Sequence, residues 1–226
     1  TTGVYATLNL YLATYFWELT TSQLAGLVVP TALATVLAFV GLGSLSRHFD
    51  KPTLLAMFSL GLAANSLWLF GGRLLGLLPP NGDPLIYLLI AINTCIGVLM
   101  IVSLQIIAVS FGADTLDQLE LQTGKRLEGV LFSVGAFLSK ATIGTGALVA
   151  GLVIDAVGIE MTSVPGEVPV DVLQSLGSFT LVITVGFALI GFYFTTQLRL
   201  SRDDHARMRQ TLDAQSKDAK PAVASQ

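Results

Sequence analysis

Charge is the first thing this chain is short of. Only 12% of its 226 residues are Asp, Glu, Lys or Arg, whereas a soluble domain carries about 25%. That scarcity excludes an ordinary soluble globule. The 53% of hydrophobic residues and a mean hydropathy of +0.72 exclude a disordered chain, which needs low hydrophobicity and high net charge. Basic residues are only twelve, scattered, in a chain of net charge −3, so no nucleic-acid surface is present. Cysteine is nearly absent: Cys95 stands alone, which excludes an internal disulfide, and no paired Cys/His spacing suggests zinc. Nucleophile elbow, phosphate loop and metal-ligand set are all missing, so an enzyme has no residues to stand on and no cofactor is called for. What remains is an all-α integral membrane protein.

The long charge-free runs locate the spans. They cover residues 1–17, 19–46, 52–72, 84–113 and 172–198, and a further apolar stretch, 129–154, is interrupted only by Lys140. Crossing the hydrocarbon core takes about 20 apolar residues in a helix. Six spans follow, near 2–18, 22–45, 53–76, 85–112, 127–155 and 172–197, with a polar tail over 199–226. Pro79, Pro80, Gly82 and Pro84 mark one outer turn, and 158–169, with Pro165 and Gly166, marks another. Pro52 suits a first helical turn. Pro30 falls inside span two, where a neighbouring group must satisfy the freed carbonyl. Tyr15, Phe16 and Trp17 end span one and read as an aromatic belt at the membrane surface.

Ten of the twelve Lys and Arg residues fall on one side of this arrangement, leaving Arg73 on the other and Lys140 within a span. The positive-inside bias makes that side, and both termini, cytoplasmic. The expected setting is the bilayer of the cell (inner) membrane, crossed several times.

Lys140 is the most informative single residue. It lies roughly 16 Å into its span at 1.5 Å per residue, where a charge costs about 3 kcal/mol on insertion scales. Ser133, Ala136, Lys140, Gly144, Ala147 and Gly151 share one helical face, small but for the lysine; Leu131, Leu138 and Val149 lie opposite. The small face is expected to meet a helix or a cavity, the bulky face lipid. The lysine reads either as a counter-ion to a carboxylate on another helix or as part of a transport pathway. Asp114, Asp117, Glu120, Lys125, Arg126 and Glu128 gather at the cytoplasmic mouth; Asp114 and Asp117 share a face if span four runs on. Gln105 and Asn93 lie about 120° apart around span four at 100° per residue, which places them on different faces. Interhelical hydrogen bonding is the expected role of Asn93.

The run Ala113-Asp114-Thr115-Leu116-Asp117, then Glu120, Thr123-Gly124-Lys125-Arg126-Leu127-Glu128-Gly129, Phe132-Ser133 and Lys140 resembles the loop between helices 10 and 11 of the glycoside–pentoside–hexuronide cation symporters, the melibiose-permease branch of the major facilitator superfamily. Ser46-Arg47-His48-Phe49-Asp50-Lys51 is similar to that family's turn between helices 8 and 9, and 200–206 is similar to its ending. The resemblance spans the chain but only as helices 7 to 12. It implies a six-helix bundle that is half of a twelve-helix fold, partnered by an N-terminal six-helix half.

The resemblance implies that Lys140 is the membrane lysine near the sugar and cation sites. It implies that Ser139, Ala136 and Gly135 line the pocket beside it, and that Gln105 stands where the branch has a pocket tryptophan. It makes Asp114, Asp117 and Arg126 cytoplasmic gate residues that pair with the other half. The family's cation-coordinating aspartates belong to that other half, so H⁺ or Na⁺ would not be bound by this half alone. The implied activity is cation-coupled symport of a sugar or glycoside by alternating access. A lipid-like or other solute, and a non-transporting scaffold or regulatory half, are the alternative readings.

Overall fold

The computed structural model describes residues 2–124, 128–159 and 164–197, and these are helical apart from short connections. In chain order the helices are α1 (Thr2–Tyr11), α2 (Thr21–Gly26), α3 (Val28–His48), α4 (Lys51–Ser66), α5 (Gly72–Leu74), α6 (Pro84–Thr123), α7 (Glu128–Val157) and α8 (Val170–Thr196). Five stretches are long and apolar enough to cross a membrane: Thr21–His48, Lys51–Leu74, Pro84–Asp114, Phe132–Val157 and Val170–Thr196. The chain is thus an all-α bundle of membrane-span-capable helices. The first segment is shorter: α1 runs into a π-turn, Leu12–Phe16, and the chain breaks at Glu18, whose φ of 51° lies in the left-handed region.

Local chemistry explains the boundaries. Thr20 and Gln23 form a capping box: the Gln23 amide donates to Thr20 Oγ1 (3.3 Å), and the Thr20 amide donates to Gln23 Oε1 (2.9 Å). The helical course slips at Leu27, which separates α2 from α3. Pro30 therefore sits in the first turn of α3, where an amide has no intrahelical partner to lose. Pro30 still lies within the membrane-span-capable stretch Thr21–His48, as expected, and the break at Leu27 makes it part of a first helical turn. Pro52 lies in the first turn of α4, as its position suggested. At its far end α4 widens into a second π-turn, Leu67–Gly71, before α5. The end of α7 is a Schellman motif on Gly158, at φ 80°. The Gly158 amide donates to Asp155 O (3.1 Å) and the Ile159 amide to Ile154 O (3.3 Å), and both isoleucines join one core.

The helix of span four outruns its expected limits. α6 is 40 residues long and continues past the apolar run to Thr123, so Asp114 and Asp117 are on one continuous helix. The tail beyond 197, including the stretch 201–206, lies outside the described residues.

Helix α4 is the hub, packing on both α6 and α8; α3 packs on α6, and α1 on α7. The larger core lies toward the Arg73 end, around Leu8, Leu12, Phe16, Trp17, Leu69, Phe70, Ile86 and Leu176. A smaller one lies toward the Lys51 end, around Leu42, Leu54, Leu55 and Ile107. Among the described residues, helix α7 joins the larger core by its second half, through Val149, Ala150, Val153, Ile154 and Val157. Residues 132–145 of α7 are exposed on every side. Among the described residues the small face therefore meets little: a Cβ added at Gly135, Gly144 or Gly151 would touch none of their atoms within 4 Å. On the bulky face, Val149 packs into the core rather than facing outward, which reverses the expectation for that residue.

Candidate functional site: a polar cavity inside the bundle

Helices α1, α3, α4, α6 and α8 surround a cavity of about 720 Å³. Its wall is apolar in the main, with leucines, Phe70 and Phe187. Set into it are uncharged polar side chains: Asn9, Thr31, Ser59, Asn65, Asn93 and Gln105 among them. Cavities of this size and character, mostly apolar with a few convergent polar groups, are the usual form of small-molecule sites.

The two asparagines explain each other. A polar side chain buried in a span must find a hydrogen-bond partner. Asn65 Nδ2 donates to the backbone carbonyl of Asn93 (3.1 Å), and Asn93 Nδ2 donates to that of Asn65 (2.7 Å). The exchange staples α4 to α6 and supplies the interhelical bonding expected of Asn93. Trp68 Nε1 donates to Asn65 Oδ1 (3.1 Å) from within the second π-turn. Backbone approach is close here, since a Cβ at Gly97 would sit 3.1 Å from Asn65 Nδ2.

Toward the Arg73 end the cavity meets a cluster of aromatic rings carried on or beside the two π-turns. Phe16, Trp17 and Phe70 are mutually packed, with ring centroids 4.8 to 5.9 Å apart. Trp17 and Phe70 also face the cavity. Phe16 and Trp17 are each 4% exposed, so they are core residues and not the surface belt expected of them. Arg73 organises this end. Its guanidinium donates to Pro79 O (2.8 Å) and Asn81 Oδ1 (2.8 Å) and lies 6.0 Å from the Trp17 ring. Asn81 in turn donates to Phe16 O (3.1 Å), fixing the outer turn to the end of the first segment.

At the opposite end, Lys51 Nζ pairs with Asp114, linking the start of α4 to the extended part of α6. Lys51 also donates to Ser110 O at 3.4 Å. His48 is exposed, with Nδ1 3.1 Å from Ser44 O of its own helix.

The residues singled out in the sequence are divided by this arrangement. Gln105 lines the cavity, and so does Asn93: the cavity wraps around α6 widely enough to take both, despite their 1,200° of helical phase at about 100° per residue. Lys140, Ser139, Ala136 and Gly135 are together on the exposed half of α7, away from the cavity wall. Asp114 engages Lys51 within the chain. Asp117 follows it on α6, with its side chain outside the described set, and Arg126 lies outside the described residues altogether. Asn65, Ser59 and Thr184 were not singled out in advance. Asn65 carried a signal, being a polar side chain inside a charge-free run; two hydroxyls among many did not.

The described residues form an all-α bundle of membrane-length helices around a largely apolar cavity set with uncharged polar side chains, an architecture suited to holding a small solute between helices. The chain matches the family model of MFS/sugar transport proteins over residues 1–202, and it belongs to that family, within the major facilitator superfamily. No curated protein matches the chain. No solved structure matches it either.

Proposed function

We propose that this chain is the C-terminal, six-helix half of a melibiose-permease-like secondary transporter that carries a sugar or glycoside by cation-coupled symport. The observation that carries the reading is the cavity, with amide and hydroxyl groups from several helices set into an apolar wall. Sugars present hydroxyl groups on one edge and apolar C–H faces on the other, and such a wall complements both. Membership of the MFS/sugar transport family supports transport of sugars in general. Alternating access then works by rocking two six-helix bundles about a midplane site.

The bare half of α7 supports a missing partner. Lys140 is exposed in the middle of a span-length helix. Facing lipid there would cost it about 3 kcal/mol. We assign its face, with Gly135, Ala136 and Ser139, to the interface with the complementary half, where the ammonium helps organise the cation and sugar sites. Asp114, Asp117 and Arg126 serve the cytoplasmic gate, with Lys51 as the partner of Asp114 inside this half. The coupling ion is H⁺ or Na⁺. The basic bias of the Lys51 end supports cytoplasmic termini and a setting in the cell (inner) membrane.

The test is uptake of radiolabelled sugars by the chain together with its complementary half, reconstituted in liposomes under Na⁺ and pH gradients. Gradient-driven accumulation of a sugar or glycoside is the expected result. Uptake by the 226-residue chain alone would overturn the half-transporter reading; absence of coupled uptake across the panel would overturn sugar symport.

A further inference from the structure

The aromatic cluster joins the cavity to the turn over 75–83. Trp17 and Phe70 line the cavity, yet each is only 4% exposed, so the rings fill the wall where they stand. Arg73 and Asn81 are not among the cavity's described lining, but the Arg73 guanidinium lies 6.0 Å from the Trp17 ring. The rings are mounted on backbone that departs from a regular helix. Phe16 and Phe70 belong to the two π-turns, and Trp17 follows the first of them. Glu18 comes next, with a φ of 51°. A side chain held in that region is strained, and such strain persists only where the surroundings impose it.

Specific bonds impose it here. Within the first segment the Trp17 amide donates to Leu12 O (2.8 Å) and the Leu19 amide to Ala13 O (2.9 Å). From the turn, Asn81 Nδ2 donates to Phe16 O (3.1 Å). Asn81 is itself fixed by Arg73. Nη2 of the guanidinium donates to Asn81 Oδ1 and Nη1 to Pro79 O, both at 2.8 Å. Flipping the Asn81 amide would turn its NH₂ toward the guanidinium and its oxygen toward Phe16 O, losing both bonds. Among the described residues Arg73 has a carbonyl, an amide oxygen and an indole ring for partners, and no carboxylate. The planar fork of the guanidinium, more than its charge, gathers the turn.

We propose that Arg73 and Asn81 form a latch that holds Phe16 and Trp17 as a plug, and that its release opens the Arg73 end of the cavity. Both are positioning residues: they act through Phe16 and Trp17 and touch no solute. When Asn81 lets go of Phe16 O, Glu18 is free to relax and the π-turn to change register, so the plug can move aside. The latch stands at the opposite end of the bundle from Lys51 and Asp114. What passes through it rests on the transport reading above; the latch itself rests on the contacts of the fold.

The experiment uses the chain with its complementary half in proteoliposomes, in a Cys95→Ala background. Ala13→Cys, 7% exposed on the cavity wall one turn before Trp17, is labelled with N-ethylmaleimide. Ala38→Cys, 2% exposed on α3 and outside the cavity's described lining, reports general loosening. Arg73→Lys keeps the charge but has no fork to serve both Pro79 O and Asn81. Asn81→Asp keeps an acceptor for Arg73 but loses the N–H that holds Phe16 O. We expect each variant to speed labelling of Ala13→Cys about tenfold, the loss of one to two net hydrogen bonds, and to leave Ala38→Cys within about twofold. Unchanged labelling of Ala13→Cys in both variants, or equal acceleration of the two cysteines, would overturn the latch; uptake of methyl glycosides by the parent would then leave transport standing. Asp114→Asn weakens the opposite end and, in an alternating-access cycle, is expected to slow labelling of Ala13→Cys. Acceleration by the latch variants with no slowing by Asp114→Asn would uphold the latch and overturn the alternating-access reading.

Discussion

Asn65 and Asn93 each donate a side-chain amide to the other's backbone carbonyl, joining α4 to α6 beside a π-turn at the wall of the cavity. π-turns concentrate at functional sites because they interrupt the regular ladder and leave backbone groups to be satisfied elsewhere. Here the second π-turn begins two residues after Asn65 and carries Phe70 to the cavity wall.

This staple predicts a stability effect. Replacing either asparagine by Leu leaves a buried carbonyl without its donor and is expected to lower stability by about 1–2 kcal/mol. Asn93→Asp is expected to fall further, because a buried carboxylate not only lacks the N–H but sets a charged acceptor against Asn65 O. Thermal unfolding in detergent checks this; an Asn93→Asp protein as stable as the parent would contradict the pairing.

Gly177 on α8 faces Phe16. A Cβ there would come within 2.6 Å of the ring, and Phe16 is only 4% exposed and cannot yield. Gly177→Ala is expected to cost about 1–3 kcal/mol through overpacking. Gly186→Ala, nine residues along the same helix with nothing within 4 Å of its Cβ, is the control. It is expected to be neutral or to gain up to about 1 kcal/mol of helix propensity. Equal melting temperatures for the two variants would argue against the Gly177–Phe16 contact.

The Lys51–Asp114 pair is partly open to solvent, with side chains 34% and 13% exposed. Its contribution to stability is expected to be about 1 kcal/mol or less. In the proposed function its effect belongs to the cytoplasmic gate. Asp114→Asn is expected to change the rate of solute exchange across vesicles while leaving apparent affinity within about twofold, a difference below roughly 0.5 kcal/mol. The exchanged pair Lys51→Asp with Asp114→Lys is expected to restore the rate in part. Loss of affinity at a normal exchange rate would remove Asp114 from the gate.

For Lys140, the expected phenotype separates insertion from transport. Lys140→Ala removes a charge from mid-span and is expected to insert at least as well as the parent, yet to lose coupled uptake. Lys140→Arg is expected to rescue poorly, because guanidinium is larger, planar and does not change protonation state as lysine does. Membrane abundance by immunoblot and uptake in the same vesicles decide it. A well-inserted Lys140→Ala protein with normal cation dependence would refute the role assigned to the lysine.

Sidedness is checked by single cysteines in the Cys95→Ala background. Ser46→Cys is expected to react with an impermeant maleimide only from the cytoplasm, and Val164→Cys only from outside. Labelling of both from one side would overturn the proposed topology.

The membrane class, the span-length helices and several boundaries were legible in the residues themselves. Runs free of charge leave water wherever they fold, so hydropathy alone marks the existence of α3, α4, α6, α7 and α8, though not the eleven residues by which α6 runs past its expected end at 112 to Thr123. Pro52 opens a helix for a purely local reason, as do Thr20 and Gln23 in their capping box. Gln105 and Asn93 stood out because an amide in a charge-free span needs a partner wherever it points.

Rotation about each helix axis is another matter. Lipid tails and a protein core are almost equally apolar, so the transfer energy that marks a span says little about which face meets protein. That is why Trp17 reads as a surface belt and is a core residue, and why Val149 points inward while the small face of α7 stays bare. Both π-turns, the meeting of Asn65 with Asn93, and the convergence of Ser59 and Thr184 on one cavity depend on contacts between helices far apart in the chain. Only the packed bundle decides those, because each helix alone satisfies its backbone in any rotation, and it is the buried amides and close glycines between helices that choose among them.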